Sequence, residues 1–193
     1  PWWLGYSPVD DAGAAAAAIV AAGGPQLRPA RDVDMAGRIA MVTDPQGAAF
    51  YIMDPTPPPG AEGMESDVFS VTEAQHVRWN ELATSDPAAA IAFYTGQFGW
   101  GQEGEMDMGA MGAYRFVQRG EVGLGAVMPM MPGMPAPMWS YYIGVDDIGR
   151  AHAAITASGG SIITEPMEIP GGEFAMNAVD PQGASFGLVG PRQ

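Results

Sequence analysis

The heptapeptide DPQGAAF occupies residues 44–50, and DPQGASF occupies residues 180–186. The likeness extends well beyond these seven residues. Sliding the chain by 136 positions, without a gap, brings Trp3 onto Trp139, Tyr6 onto Tyr142, Val9 onto Val145, and Asp10 and Asp11 onto Asp146 and Asp147. Ile19 falls on Ile155, and Gly23 and Gly24 fall on Gly159 and Gly160. Chance does not hold register over such a span with Trp, Gly and Pro among the matches, so the chain reads as carrying a duplicated unit.

Each copy resolves into the same local signals. An apolar and aromatic run (WWLGYSPV, WSYYIGV) has strand character. An Asp pair follows, suited to capping a helix and to its positive end. An Ala-rich helix comes next (AGAAAAAIVAAGG, IGRAHAAITASGG), and its closing Gly-Gly supplies a left-handed terminus. A short strand (QLRPA, SIITEP), a loop and another strand (GRIAMVT, FAMNAV) lead to the repeated peptide. Asp-Pro-Gln-Gly suits a type I turn, with Asp first, Pro second and Gly fourth. The last strand (AAFYIM, ASFGLV) closes the unit. Between the copies, HVRWNELATS reads as a strand and Asp86 caps a helix with Pro87 at its first position. Strands are then expected at GAYRFVQ and EVGLGAVM. The Pro/Gly-rich stretch 55–67 reads as an interdomain linker, and PMMPGMPAP joins the middle unit to the last.

Composition excludes several functions. With 22 acidic against 8 basic side chains and a net charge of −14, the chain is a poor binder of nucleic-acid backbone or anionic membrane. It has no cysteine, hence no disulfide, thiolate metal site or thiol nucleophile. There is no apolar run of membrane-spanning length, and PWWLGYSPVDD lacks signal-peptide character, so the expectation is a cytoplasmic protein. Gly-x-Ser-x-Gly is absent, and GAEG and GEVGLG lack a phosphate-binding context.

The βαβββ units, FYTGQFGW in the middle helix and DPQGA-F in the closing hairpin resemble the vicinal oxygen chelate superfamily. It embraces glyoxalase I, bleomycin-resistance proteins, extradiol dioxygenases and fosfomycin-resistance enzymes. The nearest resemblance is to tandem-domain, glyoxalase-like bacterial proteins. The resemblance implies an α+β fold in which βαβββ modules pair into a cup-shaped, incomplete barrel. Metal-dependent members place His, Glu or Gln ligands on the first and last strands of each unit, donors suited to divalent metals. Here those positions fall on Trp79 and Gly125, on Ser140 and Gly187, and on Leu4 and Tyr51. None is a good ligand, and the two histidines, His76 and His152, read as surface residues. No cofactor and no metal site of the usual kind are therefore expected, as in the bleomycin-binding branch. A shifted site using Glu81 is the alternative.

Strand alternation places Trp79 and Glu81 on one face, and Ser140 and Tyr142 on the matching face of the last unit. Tyr114 and Phe116 alternate in the same way. A cup lined by Trp79, Tyr114, Phe116, Ser140 and Tyr142 suits a small apolar or aromatic ligand. Glu81, a carboxylate on that face, is the candidate base or cation partner; the plainer reading has it bonded to local backbone or to Arg115. The methionines of MDMGAM and MPMMPGMPAPM form either a lid or packed loops. Two functions stay open: a metal-free binding module, or a lyase, isomerase or dioxygenase using Glu81 or an atypical metal site.

Cups need paired units and this chain has three. Residues 1–54 are therefore expected to be the second half of an N-terminal domain whose first half is missing. Residues 68–193 are expected to be a complete C-terminal domain. The expected partners are a small molecule, and either a second copy of the chain or a further N-terminal unit that completes residues 1–54. An exposed sheet edge and apolar face would otherwise result.

Overall fold

The computed structural model describes residues 1–193 apart from Glu62 and Glu65; these two positions of the 55–67 linker reading lie outside the described residues. The chain is α+β and runs strand–helix–strand–strand–strand three times. The first round is β1 (Tyr6–Pro8), α1 (Ala12–Ala21), β2 (Gln26–Val33), β3 (Gly37–Thr43) and β4 (Ala49–Pro55). The second is β5 (Val77–Thr84), α2 (Pro87–Phe98), β6 (Gly101–Asp107), β7 (Ala113–Arg119) and β8 (Val122–Pro129). The third is β9 (Met138–Gly144), α3 (Ile148–Ala157), β10 (Ser161–Glu168), β11 (Phe174–Val179) and β12 (Ser185–Gly190).

Local chemistry sets these boundaries. Asp11 Oδ1 accepts from the N–H groups of Gly13 and Ala14 at 2.7 and 3.0 Å, starting α1. Asp147 Oδ1 does the same for Gly149 and Arg150 at 2.8 and 3.1 Å, starting α3. Asp86 accepts from Ala89 N–H at 3.0 Å, with Pro87 in the first turn of α2. Each cap satisfies N–H groups that the helix cannot. In the two Asp-Pro-Gln-Gly turns, Asp44 Oδ1 accepts from Gln46 and Ala48 at 3.0 and 2.9 Å, and Asp180 Oδ1 from Gln182 and Ala184 at 2.9 Å each. Gly47 and Gly183 close these turns at φ of +104° and +94°, where a side chain would be strained.

Two sequence expectations are corrected. The first strand is three residues, not the whole of WWLGYSPV, because β1 pairs with β4 only from Tyr6 to Pro8. GQEGEMD forms β6, the edge strand that a βαβββ unit requires and that the sequence reading placed on no residues. Its polar side chains give no alternation signal, and its pairing with β7 is made by backbone groups.

The chain divides into two compact units. The first comprises Pro1–Trp3, Asp67–Glu81 and Ser140–Gln193; the second comprises Leu4–Ser66 and Leu82–Trp139. In the first unit, β9 lies parallel to β12, which runs antiparallel to β11, which runs antiparallel to β10. Ile143 and Val145, which alternate with Ser140 and Tyr142 along the chain, pack with Ile148, Ile155, Met176 and Leu188 beneath α3. In the second unit, β1 lies parallel to β4 and the order is β1–β4–β3–β2. Register repeats as well. Tyr6 pairs with Tyr51 as Tyr142 pairs with Gly187. The ladder irregularities between Gln26, Arg28 and Arg31 fall where those between Ile162, Thr164 and Met167 fall, 136 residues on.

The core of the second unit holds an aromatic cluster of Phe50, Phe93, Tyr94, Phe98, Trp100 and Trp139. Inside it the Trp139 indole N–H donates to the Tyr94 hydroxyl at 3.0 Å, and that hydroxyl donates to Asp44 Oδ2 at 3.1 Å. Asp44 has 0% of its surface exposed. Burial pushes its carboxyl above the ordinary value, against the opposing pull of the hydrogen bonds from Ala48, Tyr94, Gly47 and Gln46.

In the first unit Arg78 holds Glu173 through two parallel bonds of 2.9 Å and donates from Nε to Val71 O at 2.9 Å. Its stem lies against Gly144, where a Cβ would meet it. The arginine head is nearly enclosed and its glutamate partner is partly open to water. Arg78→Met is therefore expected to cost about 1.5 kcal/mol in urea unfolding, between exposed and buried ion pairs. Among the described residues no helix is long and apolar enough to cross a membrane.

Candidate functional site

The site grows from a difference between the copies. Where the first round has Tyr51, the third has Gly187, directly beside Tyr142 in the parallel ladder. Tyr6 and Tyr51 stack at 4.7 Å between ring centroids. Tyr142 instead lies over bare backbone, and a Cβ at Gly187 would overlap its ring. That space lets Tyr142 sink until 9% of its surface remains exposed.

The Tyr142 hydroxyl faces the Glu81 carboxylate, with 3.5 Å to Oε1. The Asn177 side chain also bonds it. Asn177 sits on β11 opposite Gly187, and its backbone N–H donates to Thr164 Oγ1 at 2.8 Å. Burial first, then the negative charge of Glu81, push the Tyr142 hydroxyl far above its ordinary value. It therefore stays protonated across any working pH and serves as a donor.

The structure brings Glu81 and Tyr142 together, as two of the sequence-derived site residues. Trp79 and Ser140 belong to the same unit, each two residues before one of that pair and half-buried. Tyr114 and Phe116 belong to the second unit, where their rings meet edge-on at 5.9 Å. Asn177 was missed. Its signal was available in the repeat, since position 41 of the other copy is Met.

The metal-ligand positions implied by the resemblance carry Trp79, Gly125, Ser140, Gly187, Leu4 and Tyr51. Among the described residues no group of three or more His, Asp or Glu side chains is placed to hold a metal ion. His76 Nδ1 lies 2.9 Å from Ala74 O, and His152 Nε2 lies 3.2 Å from a Glu165 oxygen. At Gly187 the Tyr142 ring occupies the space a ligand side chain would need. These residues do not fit the divalent metal that the fold family implies.

Comparison with known proteins identifies the class. A family model described as the glyoxalase/bleomycin resistance protein/dioxygenase superfamily matches residues 74–188, and the chain belongs to this superfamily. A protein of Mycobacterium tuberculosis named "Putative glyoxylase CFP32" is 38% identical over 193 residues, covering 99% of this chain and 70% of its own length. The anthracycline biosynthesis protein DnrV of Streptomyces peucetius is 31% identical, covering 99% of this chain and 66% of its own. Among solved structures, 2,2',3-trihydroxybiphenyl 1,2-dioxygenase of Sphingomonas wittichii superposes with a TM-score of 0.66 at 15% identity, covering 100% of this chain and 71% of the enzyme. The Mn(II)-bound glyoxalase of Novosphingobium aromaticivorans gives 0.64 at 15% identity, with 97% and 62% covered. At such identities these two structures speak for the fold alone.

Proposed function

We propose that this chain binds a small planar aromatic molecule without a metal, through the face that carries Trp79, Glu81, Ser140 and Tyr142. The observation that carries the reading is the Tyr142 ring lying over Gly187 with its hydroxyl aimed at Glu81. An aromatic floor with one carboxylate suits an apolar ligand bearing a proton donor or a positive charge. The relationship to anthracycline biosynthesis proteins favours a polycyclic aromatic ligand with an amino or phenolic group.

The test is calorimetric titration with amino-substituted and neutral anthraquinones, on protein whose metal content has been measured. Glu81→Gln is expected to weaken the amino-substituted ligand by about 2 kcal/mol, the scale of a charged hydrogen bond, and to leave the neutral one unchanged. Equal loss for both, or binding that requires stoichiometric Fe, Mn, Ni or Zn, sinks the reading.

The Tyr142–Glu81 contact also favours a second reading, an enzyme of the superfamily in which Glu81 takes a proton from the substrate. Turnover lost in Glu81→Gln while affinity for a neutral ligand persists would select it.

A further inference from the structure

The first unit contains a cleft of about 250 Å³ lined by Ala154, Ile155, Gly160, Asp180, Pro181 and Phe186, with Ser158 at its side. Shifted by 136 residues, those six become Ala18, Ile19, Gly24, Asp44, Pro45 and Phe50, identical in type; only Ser158 differs, falling on Ala22. The second set already has an occupant. In the second unit, Asp44 accepts the Tyr94 hydroxyl at 3.1 Å, and Phe50 packs on Tyr94 and Phe98 at 5.7 and 5.9 Å. Both aromatic residues come from the last turns of α2.

The polar relay carries the comparison further. Trp139 is the shifted counterpart of Trp3. In the second unit the Trp139 indole reaches the carboxylate of Asp44 through the Tyr94 hydroxyl, which accepts from one and donates to the other. In the first unit the Trp3 indole bonds the Asp180 carboxylate directly, and the Trp3 ring lies 6.2 Å from Phe186. Donor, acceptor and aromatic wall are thus the same in both units, and the second unit inserts a tyrosine hydroxyl between them. Trp3 is 49% exposed and Trp2 is 74% exposed, so moving this segment aside uncovers little.

We infer that the Asp180–Phe186 cleft is a docking socket for the end of an α-helix that presents Tyr and Phe four residues apart, as α2 does. The partner is a βαβββ unit other than those of this chain, with a first helix that ends in this pattern; α2 itself is already engaged by Asp44 and Phe50. Its tyrosine hydroxyl donates to Asp180 and accepts from Trp3, and its phenylalanine stacks on Phe186. A hydroxyl between an indole and a carboxylate satisfies both, and rings four residues apart share one helix face.

The test uses the full chain labelled with 5-fluorotryptophan, the Trp3 resonance being assigned with Trp3→Phe. The probe is a peptide of residues 87–100, stapled between positions 88 and 92, which are exposed on α2, and shown to be helical by circular dichroism. Saturable movement of the Trp3 signal with Kd below ~1 mM is expected. The Tyr94→Phe peptide should bind about tenfold more weakly, and so should the native peptide to Asp180→Asn protein. The two losses should not add, because both remove one hydrogen bond. Asp180→Asn keeps an oxygen for the turn, so folding is retained. A helical peptide that leaves Trp3 unmoved at millimolar concentration overturns the inference. So does equal binding of both peptides to both proteins. Concentration-dependent dimers that move the Trp3 signal and vanish in Asp180→Asn would overturn it too, by making a second copy the occupant.

Discussion

Asp44→Ala is expected to lower the unfolding free energy by about 4 kcal/mol, whereas Asp180→Ala is expected to lower it far less. Removing the buried carboxylate strands the backbone N–H groups of Gln46 and Ala48 and takes from the Tyr94 hydroxyl its acceptor at Asp44. An orphaned buried polar group costs ~1–3 kcal/mol. At Asp180 the turn N–H groups lie nearer water, which can replace the oxygen. Urea unfolding of the two variants measures the contrast.

The effect also carries a pH signature. Burial raises the Asp44 carboxyl in the folded state, so the folded protein holds that proton more tightly than the unfolded chain does. Stability linked to Asp44 is therefore fully present below the unfolded value near 3.8 and falls as pH rises through the raised folded value. The gap between wild type and Asp44→Ala should be widest in acid and narrow toward neutrality. Other carboxylates cancel in that difference. A gap that widens with pH would contradict the raised carboxyl.

Gly187→Ala is expected to cost about 2.5 kcal/mol, the scale of overpacking in a filled interior. Its methyl would meet the Tyr142 ring, which is pinned by Glu81 and Asn177 and cannot retreat freely. Tyr142→Ala removes the obstacle, so adding Gly187→Ala to that variant should cost little beyond its own backbone effect. A coupling near zero in this double-mutant cycle would show that ring and glycine do not meet. The same substitution should shift the Tyr142 hydroxyl away from Glu81 and change ligand affinity without touching the carboxylate.

Much of the fold was legible because its determinants are local. Asp11, Asp86 and Asp147 cap helices that begin one residue later, and a side-chain oxygen two or three residues from an unsatisfied N–H needs no distant partner. β6 was illegible for the converse reason: Gly101–Asp107 shows no apolar alternation, and only the neighbouring β7 makes it a strand. In the site, alternation put Glu81 and Trp79 on one face of β5. It could not show that Asn177 would reach Tyr142, since that contact crosses between strands far apart in sequence.

The repeated heptapeptide separates the two kinds of information most clearly. By itself the sequence determined both turns: Asp-Pro-Gln-Gly folds the same way at 44–47 and 180–183, with the same carboxylate bonds and the same left-handed glycine. What the two carboxylates then do was decided by tertiary structure alone. Asp44 is buried among the aromatic rings near the end of α2 and holds a tyrosine, while Asp180 stays at the rim of a cleft and holds Trp3. Burial and hydrogen-bond partners depend on which surfaces the rest of the chain brings close, and seven residues carry no information about that.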